Sequence, residues 1–294
     1  MANLKIIRNR IASVKSTRQI TSAMKMVSAA KLRKAQDKIV RLRPYAQKLH
    51  EILVGLSQSL AETRIENVYG RVSVPEKILL VVITSNKGLC GAFNSNVIKE
   101  TRRIVSEKYA EQFMAGNVTF LPVGKKGYDF LRKQNVKMLP DCNHLLNDLT
   151  FDNVVVVAEA IMNRFVAGEF DKVEIIYNQF KNAAVQNLTD EIFLPVETVK
   201  QDETTSAPAD YIYEPTKEEI IKELIPKSLR IQFYKAVLDS FVAEHGARMT
   251  AMHKATDNAT EMIRDLTLQY NKARQAAITS QILEVVSGAE ALKG

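Results

Sequence analysis

Apolar and small residues recur along the first sixty positions at steps of three and four. Ile7, Ile11, Val14, Thr17, Thr21, Met24, Ser28, Leu32, Ala35, Ile39, Leu42, Ala46, Leu49, Leu53, Leu56 and Leu60 take fifteen steps over 53 residues, about 3.5 per step. That is the period of a coiled-coil seam. Residues 1–43 contain neither Gly nor Pro, so one long helix is expected, ending before residues 67–70. A second stripe runs through Ile231, Tyr234, Leu238, Phe241, His245, Met249, Met252, Thr256, Ala259, Ile263, Leu266, Tyr270, Ala273, Ala277 and Ser280, fourteen steps over 49 residues. Residues 227–294 lack Pro and hold only Gly246, Gly288 and Gly294. A second long helix is therefore expected there, with Pro226 as a kink or restart near its beginning.

Length decides how these helices are used. At 1.5 Å per residue, 227–288 would extend about 93 Å, whereas a compact chain of this size has a radius of gyration of about 19 Å. Such a helix projects from any compact body, and its apolar stripe needs cover. The matching stripe stands at the opposite end of the chain, so an antiparallel coiled coil of the two termini is the economical arrangement. Large stripe residues such as Leu56, Leu238 and Phe241 lie nearest the middle of the chain, while Thr17, Thr21, Ala273, Ala277 and Ser280 lie toward the far end. Small and hydroxylated residues hold helices together weakly, so the far end is expected to be slim and to depend partly on a surrounding partner.

Between the helices the pattern alternates. Residues 77–84, 118–123, 173–177 and 191–196 read as strands; 94–109, 126–134 and 152–166 read as helices. This is a small α/β domain with a largely parallel sheet. Residues 200–211, rich in Thr, Asp, Ser, Ala and Pro, read as a linker. The expected organisation is an N-terminal coiled-coil helix (1–66), an α/β domain (75–200), a linker (201–216) and a C-terminal coiled-coil helix (217–294).

Composition narrows the class. Of 294 residues, 46% are hydrophobic, enough for a real core, yet no apolar run approaches the roughly 18 residues of a membrane span. Charged residues 1–10 with no apolar stretch after them give no expectation of a secretory signal. Cys90 and Cys142 fit no disulfide or metal framework and are expected to be quiet buried thiols. The net charge of +8 is uneven: thirteen Lys and Arg stand against Asp37 alone in residues 1–50, giving +12 there and leaving −4 for the remainder. A field of that size calls for an anionic partner such as nucleic acid, a membrane surface or an acidic protein.

Candidate chemistry is sparse. The loop Ser85-Asn86-Lys87-Gly88-Leu89-Cys90-Gly91-Ala92-Phe93-Asn94 follows a strand and opens a helix, where backbone amides can bind phosphate. It matches neither the dinucleotide-binding nor the P-loop spacing, and a tight turn needing Gly is the better reading. His50, His144, His245 and His253 include no HExxH pair, and no catalytic triad or carboxylate pair stands out. No catalytic, cofactor-binding or metal-ligating residue is expected. Met24, Met26, Met249, Met252 and Met262 are core fillers that would also suit a surface meeting changing partners.

The two ends carry a resemblance. The segment Ile11-Ala12-Ser13-Val14-Lys15-Ser16-Thr17-Arg18-Gln19-Ile20-Thr21-Ser22-Ala23-Met24-Lys25-Met26-Val27-Ser28-Ala29-Ala30-Lys31-Leu32-Arg33 resembles the opening helix of the gamma subunits of F-type ATP synthases. Ala247-Arg248-Met249-Thr250-Ala251-Met252, Ala255-Thr256-Asp257-Asn258-Ala259 and Tyr270-Asn271-Lys272-Ala273-Arg274-Gln275-Ala276-Ala277-Ile278-Thr279 are similar to the family's closing helix, and Lys87-Gly88-Leu89-Cys90-Gly91 to the loop after the first strand of its Rossmann-like domain. The resemblance implies a non-catalytic central-stalk rotor, present in one copy. It would turn inside a ring of three alpha and three beta subunits and be fixed to epsilon and the membrane c-ring, without nucleic acid. On this resemblance Met24 and Lys25 lie near acidic beta-subunit loops. Arg248, Arg274, Gln275 and Thr279 position the shaft or engage the ring, and Tyr213 and Glu214 meet the c-ring. It further implies a peripheral place on the cytoplasmic side of a bacterial inner membrane and coupling to protons. Asn86-Lys87, Ala92 and Gln281 depart from the family's commoner Asp-Arg, Gly and Glu. The rival reading is a basic coiled-coil nucleic-acid binder, which would lose affinity steeply with salt but lacks aromatic stacking residues and a groove-reading module.

Overall fold

The computed structural model describes residues 2–60, 68–70, 74–196 and 217–291, with side chains described for 4–49, 52, 68–70, 74–196 and 222–291. In chain order these form α1 (Ala2–Leu60), β1 (Ile78–Ile83), α2 (Phe93–Glu107), α3 (Ala110–Met114), β2 (Val118–Val123), α4 (Lys125–Lys133), α5 (Phe151–Val166), β3 (Lys172–Phe180), β4 (Gln186–Leu194) and α6 (Lys217–Ala291). The chain divides into two units: Ala30–Ala247, and Met1–Ala29 together with Arg248–Gly294.

The larger unit is built on a four-stranded sheet in the order β2-β1-β3-β4. β1 runs parallel to β2 and β3, with Leu80 opposite Phe120 and Glu174, while β4 is antiparallel to β3. Every residue of β1 and β2 is buried; β1, paired on both sides, reads as an unbroken apolar run because a central parallel strand has no solvent face, and β2 departs from one only at Thr119. On one face Leu80, Val82, Phe120 and Ile176 pack with Val97 and Ile104 of α2. Fully burying each such side chain contributes roughly 1.5–3 kcal/mol. The β2 edge is partly covered where Phe120 pairs with Met138, its N–H donating to Lys137 O at 2.9 Å, which shortens the open strand on that side.

Both long helices enter this unit. Phe233 of α6 packs on Phe193 of β4 with ring centroids 5.6 Å apart. Tyr234 meets Phe151 of α5 edge-on at 5.3 Å, and Arg230 pairs with Glu159 of α5 at 3.0 Å. Arg43 of α1 reaches Asp239 of α6 at 2.7 Å and the Phe180 carbonyl at 2.8 Å. Across the sheet a second ionic group is buried: Glu174 accepts from Tyr109 Oη at 2.6 Å and lies 3.1 Å from Lys172 Nζ. Burial first, then the hydrogen bond to Glu174, holds the Tyr109 hydroxyl far above its ordinary range, so it donates as a neutral phenol.

Some details differ from the sequence pattern, and one narrows it. α6 runs from Lys217 through Pro226 as one helix, so of the expected kink or restart there is no restart. The carbonyl deprived of its partner belongs to Lys222, which is exposed and can be solvated. β4 starts at Gln186, five residues before the expected strand, because pairing with β3 continues to Phe180 opposite Gln186. The five-residue α3 is too short for periodicity to reveal. The valine-rich α5 is a helix as expected, its start fixed by Thr150, whose side chain accepts from Asn153 N.

Thr84 and Gly124 set the crossing from β2 into α4. Gly124 has φ +110°, and a Cβ there would stand 2.2 Å from the Thr84 carbonyl oxygen. Gly124→Ala therefore combines left-handed strain with a backbone clash, and its expected cost is about 3 kcal/mol, read as a lowered urea midpoint of the purified chain.

Candidate functional site

The second unit pairs the beginning of α1 with the later part of α6. Thr21 and Thr256 share a hydroxyl hydrogen bond at 2.9 Å, and Arg8 donates to Tyr270 Oη at 2.8 Å with its guanidinium 5.7 Å from the ring centre. Thirteen residues separate Arg8 from Thr21 and fourteen separate Tyr270 from Thr256, so the pairing is antiparallel and nearly in step. Carried back to Ala2, this register reaches about residue 276. Beyond that level α6 has no part of α1 beside it. Every residue of 280–291 is exposed, including Ile282, Leu283, Val285 and Val286, of which Val285 is 72% exposed.

The packing here is thin. Among the described residues the buried side chains of this unit are Thr21, Ser28, Arg248, Met252, Ala259 and Leu266, and the hydroxyls of Ser28 and Thr256 turn back onto Met24 O and Met252 O at 2.8 Å. Small residues let the helices approach closely but bury little apolar area. Charge is lopsided as well. Through Ala29, α1 carries six cations and no acid, while α6 from Arg248 onward carries five of each. The pair therefore presents an electropositive side and a neutral one.

The residues singled out by sequence fall into separate places. Met24 and Lys25 are half-buried on α1, beside the exposed Met26 and Val27. Arg248 is buried. Arg274, Gln275 and Thr279 are exposed on α6, with Thr279 Oγ1 donating to Gln275 O at 3.0 Å. Ile278 and Ile282 continue the surface of Gln275 and Thr279 at helical spacing. In the observed register Met24 lies level with about residue 253, so the α1 and α6 groups are about 30 Å apart along the pair. Tyr213, Glu214 and the expected linker 201–216 lie outside the described residues.

The glycine-rich loop is occupied by its own contacts. Asn94 Oδ1 accepts from Ser85 N at 2.9 Å, and Asn94 Nδ2 donates to Cys90 Sγ at 3.2 Å. At the start of α4, Lys125 N donates to Asn86 Oδ1 at 3.0 Å and Gly127 N to Thr84 Oγ1 at 2.8 Å. Side chains of Thr84, Asn86 and Asn94 thus cap the end of β1 and the first turn of α4, which ties the loop to its neighbours as a tight structural turn. This knot of Thr84, Asn86 and Asn94 had no signature in spacing. Gly91 and Leu89 supply the loop's positive φ values, 60° and 62°. Among the described residues no cluster of His, Cys, Asp and Glu could hold a metal, and no helix is long and apolar enough to cross a membrane. Cys142 is buried, and burial, with Asp141 adding to it, pushes its thiol up to about 11.

Comparison with known proteins covers the whole chain. The ATP synthase family model matches residues 3–292. The chain is 58% identical to the ATP synthase gamma chain of Flavobacterium johnsoniae over 295 residues, all of both chains, and 50% identical to that of Cytophaga hutchinsonii over 99% of each. Among solved structures it resembles a chain of the Tetrahymena thermophila mitochondrial ATP synthase central stalk and c-ring, with TM-score 0.57 and 27% identity over 80% of this chain and 99% of that one. A chain of the Euglena gracilis mitochondrial enzyme, solved with OSCP, F1 and c-ring, shares the fold with TM-score 0.70 over 99% of this chain and 95% of that one, at 23% identity.

Two measurements follow from this geometry. Replacing Arg274, Gln275 and Thr279 together by Ala is expected to leave the unfolding midpoint of the isolated chain within about 0.5 kcal/mol, since exposed groups outside a network contribute little; Thr21→Val, which strips the hydroxyl facing Thr256, is expected to cost about 1 kcal/mol. Native alkylation of Cys142 should be slow at pH 8 and rise with pH toward about 11, because the thiolate is the reacting form and burial disfavours it.

Proposed function

The chain belongs to the ATP synthase gamma-chain family, and from that membership we propose that it is the central-stalk rotor of a proton-translocating F-type ATP synthase, holding no catalytic site of its own. The observation that carries the reading is the bare end of α6. Its last turns expose Ile278, Ile282, Leu283, Val285 and Val286 with no part of α1 beside them. A helix so exposed needs an outer sleeve, and a ring of three alpha and three beta subunits supplies one. Arg274, Gln275 and Thr279 stand on the exposed surface such a ring would meet. Arg248, being buried, acts by holding α6 in place.

Torque on this reading passes through shape and charge. The six cations of α1 through Ala29 face acidic loops of the beta subunits, with Met24 and Lys25 nearest to them. The neutral side of the pair makes no such contact. Only an uneven shaft can bias one beta site against the next, because a ligand or partner shifts an equilibrium solely through differential interaction. Tyr213 and Glu214 meet the c-ring loops, epsilon binds near the foot, and one copy serves each complex on the cytoplasmic side of a bacterial inner membrane. This assignment accounts for the basic N-terminal segment without nucleic acid.

Mixing the chain with separately prepared alpha and beta subunits is expected to give one defined complex that hydrolyses ATP far faster than its parts. A version ending at Ala276 should lose several-fold in coupled ATP synthesis after reconstitution with the membrane sector, while its own melting changes little. Undiminished synthesis by that truncated chain would sink the proposal.

A further inference from the structure

Two helices that meet along a 3.5-residue stripe can slide by one heptad and still bury apolar against apolar, so the stripe does not fix their register. In the α/β unit a guanidinium does. Arg43 Nη2 bonds Asp239 Oδ1 at 2.7 Å and the Phe180 carbonyl at 2.8 Å, joining α1, α6 and the end of β3. The Asp239 side chain is fully buried and that of Arg43 is 40% exposed. Burial, outweighing Arg43, lifts the Asp239 carboxyl above its ordinary range, so the ion pair adds little net stability. Its geometric effect is large. Sliding α6 by seven residues would carry Asp239 about 10 Å from Arg43 and strand its carboxylate.

Two neighbouring features concentrate on the same place. Pro44, next to Arg43, lies inside α1 and lacks the N–H that would bond the Val40 carbonyl, so the guanidinium holds α1 beside a turn with a broken hydrogen-bond ladder. On α6, a Cβ at Gly246 would stand 3.2 Å from Ala183 Cα and 3.5 Å from the Phe180 ring. The hairpin between β3 and β4 is thus in close contact with α6 there, while its Phe180 carbonyl binds α1.

We propose that Arg43, Asp239 and the β3–β4 hairpin form a torque clamp, which keeps α1 and α6 in register with the sheet so that turning the α/β domain turns both helices together. Arg43 and Asp239 are positioning residues in this scheme, and the proposal rests on the rotor reading. The test uses the assembled ATP synthase in membrane vesicles and measures proton pumping per ATP hydrolysed. Asp239→Asn could fail through misfolding, so the decisive variant is the double replacement Arg43→Met with Asp239→Leu, which keeps an apolar, packable core. The expected result is a several-fold fall in that ratio with hydrolysis retained, and a ratio close to wild type in Asp239→Glu, which keeps the charge. An unchanged ratio in the double variant, including a parallel fall of both activities, overturns the clamp and leaves the rotor reading standing. If the unaltered chain raises neither hydrolysis nor pumping, the rotor reading itself fails, and the clamp with it.

Discussion

Each end of this chain is a helix whose apolar stripe is repeated far beyond what a small α/β core could cover, 59 residues in α1 and 75 in α6. Water exacts a cost for every uncovered stripe residue, and the cheapest cover is a second helix of the same period. Thr21 of α1 meets Thr256 of α6 in one unit, and Phe233 of α6 meets Phe193 of the sheet in the other. The α/β domain is placed between the helices in sequence, and its hairpin and sheet take part in burying them.

The two units bury their stripes by different means. In the α/β unit, α6 contributes Phe233, Ala236, Val237, Leu238 and Val242, all at 1% exposure or less. That is ordinary dense core. In the other unit the buried set is short and half polar, held by hydroxyl and guanidinium contacts with modest net worth. Stability gathered in one unit and economised in the other suits a part that must be rigid where it is gripped and slender where it is enclosed.

Much of this was legible in the residues themselves. Ile39, Leu49, Leu238, Met252, Ala259 and Leu266 were all on the expected stripes and are all buried, whereas the small stripe residues Thr17 and Ser280, toward the far end, are exposed. β2 occupies the residues its apolar run marked. What could not be read were contacts between residues with no local signature. Arg43 and Asp239 are 196 positions apart, and Arg43 looked like one more cation of a basic helix. Glu174 interrupts a buried strand with a charge whose partners, Tyr109 and Lys172, are assigned only by folding. The exposed surface of Arg274, Gln275 and Thr279 was visible through family resemblance alone, since exposed polar residues on a helix are unremarkable to periodicity.

The uncovered turns at the end of α6 also bear on how a cell can make such a protein. A monomeric helix that shows Ile282, Leu283, Val285 and Val286 to water is an adhesive surface, competent to stick to other nascent chains as readily as to its proper enclosure. A copy released without its companions is therefore a hazard, which favours matched synthesis, prompt enclosure and swift disposal of any surplus.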